Sequence, residues 1–150
     1  MNQDPDVMRF FPDLLTSGQT ASSFVRMKKH YSEHGYTFFA VDLLDTSAFI
    51  GFTGLYNTRF TAHFTPCVEI GWRLMKEYWG FGYATEAAAT CLDYAFDVLK
   101  LKEVYAYTPM SNLPSERVMQ KIGMTRVGTF KHPMIPDNPL EEHLLYRIGR

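Results

Sequence analysis

The most informative segment of the sequence is Glu69-Ile-Gly-Trp-Arg-Leu-Met-Lys-Glu-Tyr-Trp-Gly-Phe-Gly-Tyr-Ala-Thr-Glu86. Around its start, from Val68 to Met75, two sets of side chains alternate, which predicts a strand with two distinct faces. From Ala84 to Leu99 the apolar residues recur at helical spacing, and charged residues lie on the opposite side. The stretch therefore predicts a strand, a glycine turn and an amphipathic helix.

The glycine turn is a candidate anion site. Gly80 and Gly82 leave backbone N–H groups uncovered by side chains where the helix begins. The first N–H groups of a helix have no partner within it, and the helix dipole is positive at this end, so a phosphate or diphosphate would satisfy both. A tight turn without a ligand explains the two glycines as well. The three-glycine dinucleotide fingerprint and the Gly-Lys-Ser/Thr of a P-loop are both absent.

Four ordered motifs extend this pattern: Glu69-Ile-Gly-Trp72, Trp79-Gly-Phe-Gly-Tyr-Ala84, Asn112-Leu-Pro-Ser115 and Val118-Met-Gln-Lys-Ile-Gly-Met124. Together they resemble the GNAT superfamily of acetyl-CoA-dependent N-acetyltransferases, and within it the branch of ribosomal-protein N-terminal acetyltransferases. The usual signature of the superfamily begins with Gln or Arg, and Trp79 at that position is frequent in this branch. The similarity runs from about Asp4 to Ile148.

Length and composition predict one domain over residues 1–150. The chain is 46% hydrophobic and 21% charged, which is enough to bury a sizeable core. Its net charge of −1 and pI near 6.5 argue against a general nucleic-acid binder, which needs a basic surface. No long apolar run or secretory signal is present, so we expect no membrane segment and a reducing, cytoplasmic location.

The cysteines and histidines do not predict a metal site. Cys67 and Cys91 are isolated and read as buried thiols. His30 and His34 are expected on an exposed helix, and they lack the intervening Glu of a zinc-protease motif. We therefore expect no metal.

By resemblance, the fold class is α/β (α+β), with a mixed, mainly antiparallel central sheet flanked by helices. The chain is expected to lack the usual first strand, because family members carry a strand and most of a helix ahead of Val7. The next strand would then have an unpaired edge, which a homodimer could cover. The residue patterns predict a short helical turn at 7–11 and helices at 18–35 and 112–122. They also predict five further strands, at 36–44, 48–56, 103–108, 124–130 and 141–148.

The helix predicted over 18–35 is expected to be capped by Ser17 or Thr20. The strand at 103–108 should run parallel to the one at 68–75, because a helix connects them in a right-handed crossover. The last two strands are joined by a long proline-rich loop, and long loops beside a site usually serve function. In the resembling family this loop lines the acceptor pocket.

The resemblance also implies the residues that bind acetyl-CoA. The two parallel strands splay apart, and the pantetheine arm lies between them against backbone groups of Trp72, Arg73, Leu74 and Met75. Asn112 would bond a pantetheine amide, and Ser115 would lie near the thioester sulphur, with helix capping as the alternative role for both. The diphosphate would be held at the start of the helix by Trp79, Gly80, Phe81, Gly82, Tyr83, Ala84 and Thr85.

Acetyl transfer to an amine needs a base, donors for the oxyanion and a proton for the departing thiolate. Glu69 is the candidate base, directly or through water, although a solvent-facing strand residue is the alternative. Ser115 is the candidate acid, because Met119 stands where many relatives carry a tyrosine. An α-amino group with a pKa of about 8 needs only ~1.4 kcal/mol to lose its proton at pH 7, so it asks less of the base than a lysine.

Two functions remain open from the sequence. The first is an N-acetyltransferase whose acceptor is a primary amine: a protein N-terminus, an amino acid, a polyamine or a small amine. The second is a non-catalytic acyl-CoA sensor or dimeric interaction module. The sequence does not choose the acceptor, because loops set pocket specificity.

Overall fold

A computed structural model describes residues 1–150 as one six-stranded sheet with helices on both faces. The spatial strand order is β1-β2-β3-β4-β6-β5, and every neighbouring pair is antiparallel except β3 and β4. The predicted mixed, mainly antiparallel sheet is thus confirmed. The strands are β1 Phe38–Asp42, β2 Phe49–Thr58, β3 Cys67–Leu74, β4 Glu103–Pro109, β5 Thr125–Lys131 and β6 Glu142–Gly149.

Four α-helices accompany the sheet: α1 Pro5–Met8, α2 Ser17–His34, α3 Tyr83–Asp93 and α4 Leu113–Lys121. A π-helical turn over Tyr94–Val98 extends α3, and a 3₁₀ turn over Lys76–Tyr78 precedes it. Each predicted helix is present within a few residues of its expected ends. None of them combines the length and apolarity that a membrane crossing requires.

The predicted cap of α2 was wrong. Thr16 caps this helix, because its hydroxyl accepts from the Gln19 amide while the Gln19 side chain accepts from the Thr16 amide. This reciprocal capping box satisfies two backbone donors at once, whereas Ser17 and Thr20 lie inside the helix.

His30 was also placed wrongly, since it is buried rather than exposed. Its Nδ1 lies 2.7 Å from the Tyr36 carbonyl oxygen, and its Nε2 accepts from the Asn57 amide at 3.1 Å. The ring also stacks on Tyr56, with centroids 3.9 Å apart. Burial lowers the pKa of His30, and the hydrogen bond with the Tyr36 carbonyl partly opposes that shift. The side chain fastens α2 to β2.

The small-residue face of α3 sets the position of its N-terminus. Ala88 and Ala95 have no exposed surface, and Leu92 is buried between them. They share one core with Ile70 of β3 and Met119 of α4. Because alanines allow helix and sheet to approach closely, the start of α3 is fixed beside the end of β3.

The opposite face of the sheet carries a second, aromatic cluster. Tyr105, Phe130 and Leu145 are buried there, and the connection between β2 and β3 adds Phe60 and Phe64. Tyr107 and Cys67 pack against the same cluster. Successive strand residues point to opposite faces, so Glu69, two residues after Cys67, faces this side, whereas Ile70 faces the main core.

The parallel strands β3 and β4 pair at a single position, where Glu69 is opposite Tyr105. Beyond it the two strands diverge, and β4 continues to pair with β6 as far as Pro109 opposite His143. The expected splay between β3 and β4 is therefore present, and it opens a crevice at the carboxyl ends of these strands.

The outer edge of the sheet at β1 has no strand partner. β1 pairs with β2 from Phe38 opposite Gly54 to Asp42 opposite Phe49, and with no other strand. Unpaired edges favour association with another chain unless they are protected. The expected homodimer through this edge stays a prediction.

Candidate active site

The crevice between the splayed strands is a cavity of about 730 Å³. Its wall comes from β3, β4, the start of α3, α4, the first residues of the chain and the loop between β5 and β6. Met75 and Phe81 lie outside the wall. The predicted site residues that line it are Glu69, Trp72, Arg73, Leu74, Trp79, Gly80, Gly82, Tyr83, Ala84, Thr85, Asn112 and Ser115.

One end of the cavity is a run of free backbone amides. The N–H groups of residues 80 to 84 donate no hydrogen bond within the protein, whereas those of Thr85 and Glu86 both donate to the Gly82 carbonyl. Gly82 is the N-cap of α3 in a left-handed conformation, with φ 91°, and it offers no side-chain cap. Five adjacent donors at a positive helix end form an anion-binding concavity. We refer to residues 80–84 as the amide cradle.

Basic side chains of α4 line the same cavity as the amide cradle. Arg117 and Lys121 are one turn apart on α4, and both line the cavity. Cations at i and i+4 share one helix face, so both lie on the same side of the cavity. The cavity therefore combines neutral backbone donors with positive charge.

The opposite end of the cavity is built around Glu69. Burial raises the pKa of this carboxyl above its ordinary value, while nearby hydroxyls of Tyr107 and Thr58 partly oppose the shift by favouring the charged form. The two hydroxyls lie 3.3 Å from each other. A carboxylate with a raised pKa is a stronger base than an exposed one, which suits proton abstraction from an ammonium.

Tyr107 is a site residue that sequence reasoning missed. It lies on β4 two residues after Tyr105, and it lines the cavity beside Glu69. Burial, and then the negative charge of Glu69, raise its pKa, so the phenol stays protonated at neutral pH. Strand alternation could have put Tyr107 on the Glu69 face of the sheet, but many aromatics share that pattern.

Asn112 and Ser115 meet at the start of α4. The Asn112 side chain caps the helix by accepting from the Ser115 amide, and its NH₂ group donates to Thr108 Oγ1 at 2.8 Å. That NH₂ group also lies 3.1 Å from Ser115 Oγ. When Ser115 Oγ accepts from Asn112, its own hydroxyl hydrogen remains free to point into the cavity.

Arg73 of β3 is a charged residue of the cavity wall. Its guanidinium carbon lies 3.9 Å from the centre of the Phe11 ring and 5.3 Å from that of Phe52, and its Nη1 donates to Asn2 Oδ1. Burial lowers its pKa to about 10, so it is still charged at neutral pH. Its buried Nε has no partner within the protein.

The end of β3 has less free backbone than the resemblance implied. The Leu74 carbonyl accepts from the Trp79 indole at 2.9 Å, and the Met75 amide donates to the Ile50 carbonyl at 2.9 Å. Trp79 thus fastens the turn to β3. Because they are already paired, the Leu74 carbonyl and the Met75 amide are not free to bond a ligand.

The loop between β5 and β6 closes the Glu69 end. His132 and Ile135 of this loop line the cavity together with His143 of β6, and the two imidazole centroids are 4.9 Å apart. Burial lowers the pKa of both rings, to about 4 for His143. These rings are therefore neutral at pH 7. No group of three or more His, Cys, Asp or Glu side chains is placed to hold a metal ion.

This arrangement, an anion cradle and a buried carboxylate joined by a gap in a mixed sheet, is that of an acyl-CoA-dependent transferase fold. A family model described as "Acetyltransferase (GNAT) domain" matches residues 1–125. The uncharacterized N-acetyltransferase YnaD of Bacillus subtilis is 34% identical over 145 residues, covering 97% of this chain and 81% of the relative. The chain belongs to the GNAT family of acetyltransferases.

Solved structures agree with this assignment. An acetyltransferase of the GNAT family from Bacillus anthracis superposes with a TM-score of 0.80 at 32% identity, over 99% of this chain and 84% of that one. The Mycobacterium smegmatis RimJ, solved in complex with CoA-disulfide, superposes with a TM-score of 0.72 at 26% identity, over 88% and 61% of the two chains. The expected fold is thereby shown.

Proposed function

We propose that this protein transfers the acetyl group of acetyl-CoA to a primary amine. The observation that carries the proposal is that one continuous cavity joins the amide cradle to the buried carboxylate of Glu69. A cosubstrate that is anionic at one end and reactive at the other fits this arrangement. Membership of a family of acetyltransferases supports the same donor.

In this proposal the CoA diphosphate lies on the amide cradle, with Arg117 and Lys121 beside it. The pantetheine arm runs between β3 and β4 and uses backbone of β3 before Leu74. The neighbouring RimJ structure, which contains CoA-disulfide, supports a CoA site in this fold. Trp79, Tyr83 and Thr85 shape the rim of the cradle. Asn112 lies in the same gap, and it would bond a pantetheine amide once its capping hydrogen bonds rearrange.

The chemistry follows from the groups at the other end. Glu69, directly or through water, takes a proton from the ammonium, and the neutral nitrogen attacks the thioester carbon. The new N–C bond forms, and the C–S bond then breaks while the nitrogen loses its second proton. Ser115 gives its hydroxyl proton to the departing CoA thiolate and takes up that second proton, so its hydroxyl is restored, and Glu69 later releases the first proton to solvent. A β3 amide near Ile70 or Trp72 would donate to the oxyanion.

Tyr107 acts in this scheme as a positioning residue. Its hydroxyl stabilises the charged form of Glu69 and fixes the direction of the carboxylate. The neighbouring Thr58 hydroxyl completes the same arrangement. The base is thus held by two neutral donors rather than by a cation.

The resemblance to ribosomal-protein N-terminal acetyltransferases makes a peptide α-amine one acceptor to test. A reducing cytoplasm is the proposed location, and a homodimer through β1 the proposed assembly. The rival function is an acyl-CoA sensor, which would bind the same ligand without turnover.

A thermal-shift panel with acetyl-CoA, CoA, ATP and NAD tests the proposed ligand first. Acetyl-CoA and CoA should raise the melting temperature, as mass action requires, and ATP and NAD should not. An amine screen for release of free CoA thiol then tests transfer. Equal stabilisation by all four ligands would indicate a general nucleotide site, and stabilisation by CoA without thiol release would indicate a sensor.

A further inference from the structure

The acceptor can be characterised from the end of the cavity around Glu69, and this inference rests on the proposed function. The wall there is formed by rings and an aliphatic side chain: Phe38, Phe52, Tyr107, His132, Ile135 and His143. Both imidazoles are neutral at pH 7, because burial lowers their pKa values. An incoming amine therefore meets apolar and aromatic surface on most sides.

This surface is held rigidly from behind. The Phe130 ring packs edge-on against Tyr107, with ring centroids 5.6 Å apart, and its centroid lies 5.6 Å from that of His143. The Phe60 ring centroid lies 4.7 Å from that of His132, and Phe60 stacks on Phe130 with centroids 6.0 Å apart. Interlocked aromatic rings lose little freedom when a ligand packs on them, so the pocket is pre-organised for an apolar body.

Negative charge is scarce in the same cavity. Its wall contains two acidic residues, Glu69 and Asp6, and Asp6 is already paired with Lys76 beside α1. Arg73 adds a buried positive charge on the Glu69 face of β3. A ligand with a second ammonium would find no free carboxylate for it, and an unpaired charge in a desolvated pocket is unfavourable.

We propose that the acceptor is a small monoamine, with a single ammonium group carried on an aromatic or apolar body. The ammonium lies at Glu69, and the body packs on the rings of Tyr107, His132 and His143. A polyamine is excluded by its second charge. An amino acid is disfavoured because its carboxylate would lie close to the negative charge of Glu69.

A set of amines tested at equal concentration decides which class of acceptor the protein uses. The measurement is release of free CoA thiol, and reactions without amine serve as blanks. The set contains 2-phenylethylamine, propylamine, 1,4-diaminobutane, spermidine, phenylalanine and a pentapeptide with a free N-terminus. We expect kcat/KM to be highest for 2-phenylethylamine, at least ~10-fold above propylamine from burial of the ring. We expect a similar or larger margin over the diamine and spermidine.

A variant can reverse the preference. Ile135→Asp adds a carboxylate to the pocket wall, so the ratio of kcat/KM for spermidine to that for 2-phenylethylamine should rise ~10-fold or more. Met134→Asp is the matched control, because Met134 is 70% exposed and lies outside the wall. It adds the same charge one residue away and should leave the ratio unchanged. Stabilisation by CoA verifies that both variants are folded.

The outcomes separate the two proposals. Preferred turnover of spermidine, phenylalanine or the peptide overturns the acceptor class and leaves the acetyltransferase proposal intact. Equal change of the ratio in Ile135→Asp and Met134→Asp overturns the placement of the acceptor in this pocket. CoA binding without turnover of any amine overturns both proposals.

Discussion

The two ends of the cavity are built in opposite ways. The amide cradle consists of five consecutive residues, 80–84, and their free backbone N–H groups form the site. The Glu69 end gathers side chains from β1, β2, β3, β4, β6 and a loop, across more than half of the chain. The first end depends on backbone conformation and the second on packing, so they should respond to different substitutions.

Replacing the base should give the largest effect. Glu69→Gln keeps the size of the side chain and removes the proton acceptor, so we expect kcat to fall ~100-fold. Stabilisation by CoA should be unchanged, because the cradle is untouched. Glu103→Gln is the control, since Glu103 is an exposed carboxylate on β4 that pairs with Arg147. Equal losses in the two variants would contradict the role of Glu69.

The pH profile gives a second view of the same base. Because Glu69 takes the proton of the ammonium, log kcat/KM should be level near neutral pH, with a steep region of slope about one at lower pH, where Glu69 itself becomes protonated. The steep region should begin above the ordinary carboxyl range, because burial raises the pKa of Glu69. Glu69→Gln should show a slope of about one throughout.

The next largest effect concerns stability at the Glu69 end. Burial lowers the pKa of His143 to about 4 from 6.5, so the unfolded chain binds a proton more readily than the folded protein. The stabilisation is complete above pH 6.5 and is lost as the pH falls toward 4. From this group alone we expect about 2 kcal/mol less free energy of unfolding at pH 5 than at pH 7.

Urea titrations of His143→Gln across this pH range check that value. The variant should be less stable overall but should lose less stability on acidification than the wild type. His63→Gln, which removes an exposed histidine, should keep the wild-type pH dependence. Identical pH dependence in all three proteins would show that His143 is not held neutral by burial.

The cradle should be sensitive to backbone change. Gly82 has φ 91°, and a valine there is strained even though a Cβ would meet no atom within 4 Å. We expect Gly82→Val to weaken acetyl-CoA binding ~10-fold by rotating the amides away. Gly35→Val imposes similar strain at φ 78° on the end of α2, far from the cradle, and should lower stability without changing affinity.

The smallest effect should come from Tyr107→Phe. Losing the hydroxyl removes a donor that favours the charged carboxylate, so the pKa of Glu69 should rise further. The steep region of the pH profile should move up accordingly, while kcat at high pH changes ~3-fold or less. A loss of activity without a shift in the profile would contradict the positioning role.

Local chemistry was predictable from the sequence. The alternation of β3, the glycines before α3 and the cap at Asn112 each lie within a few consecutive residues, and all were confirmed. The helix that connects β3 to β4 also predicted their parallel pairing, because such crossover connections join parallel strands. Such features depend on backbone propensity and handedness, which neighbouring residues determine.

The Glu69 end of the cavity was not predictable in the same way. Tyr107 meets Thr58 only because β4 and β2 flank β3 in the folded sheet, and nothing near either residue marks the contact. His30 looked like a surface residue because its two hydrogen-bond partners lie 6 and 27 residues away. Side chains that act through tertiary contacts carry no local signal.

The most direct test of the account follows the backbone amides of residues 80–84 by ¹H–¹⁵N NMR while acetyl-CoA is added. We expect these five signals, including those of Gly80 and Gly82, to shift the most and to saturate together with those of the Glu69 end. Unchanged cradle signals, with saturating shifts elsewhere in the protein, would contradict it.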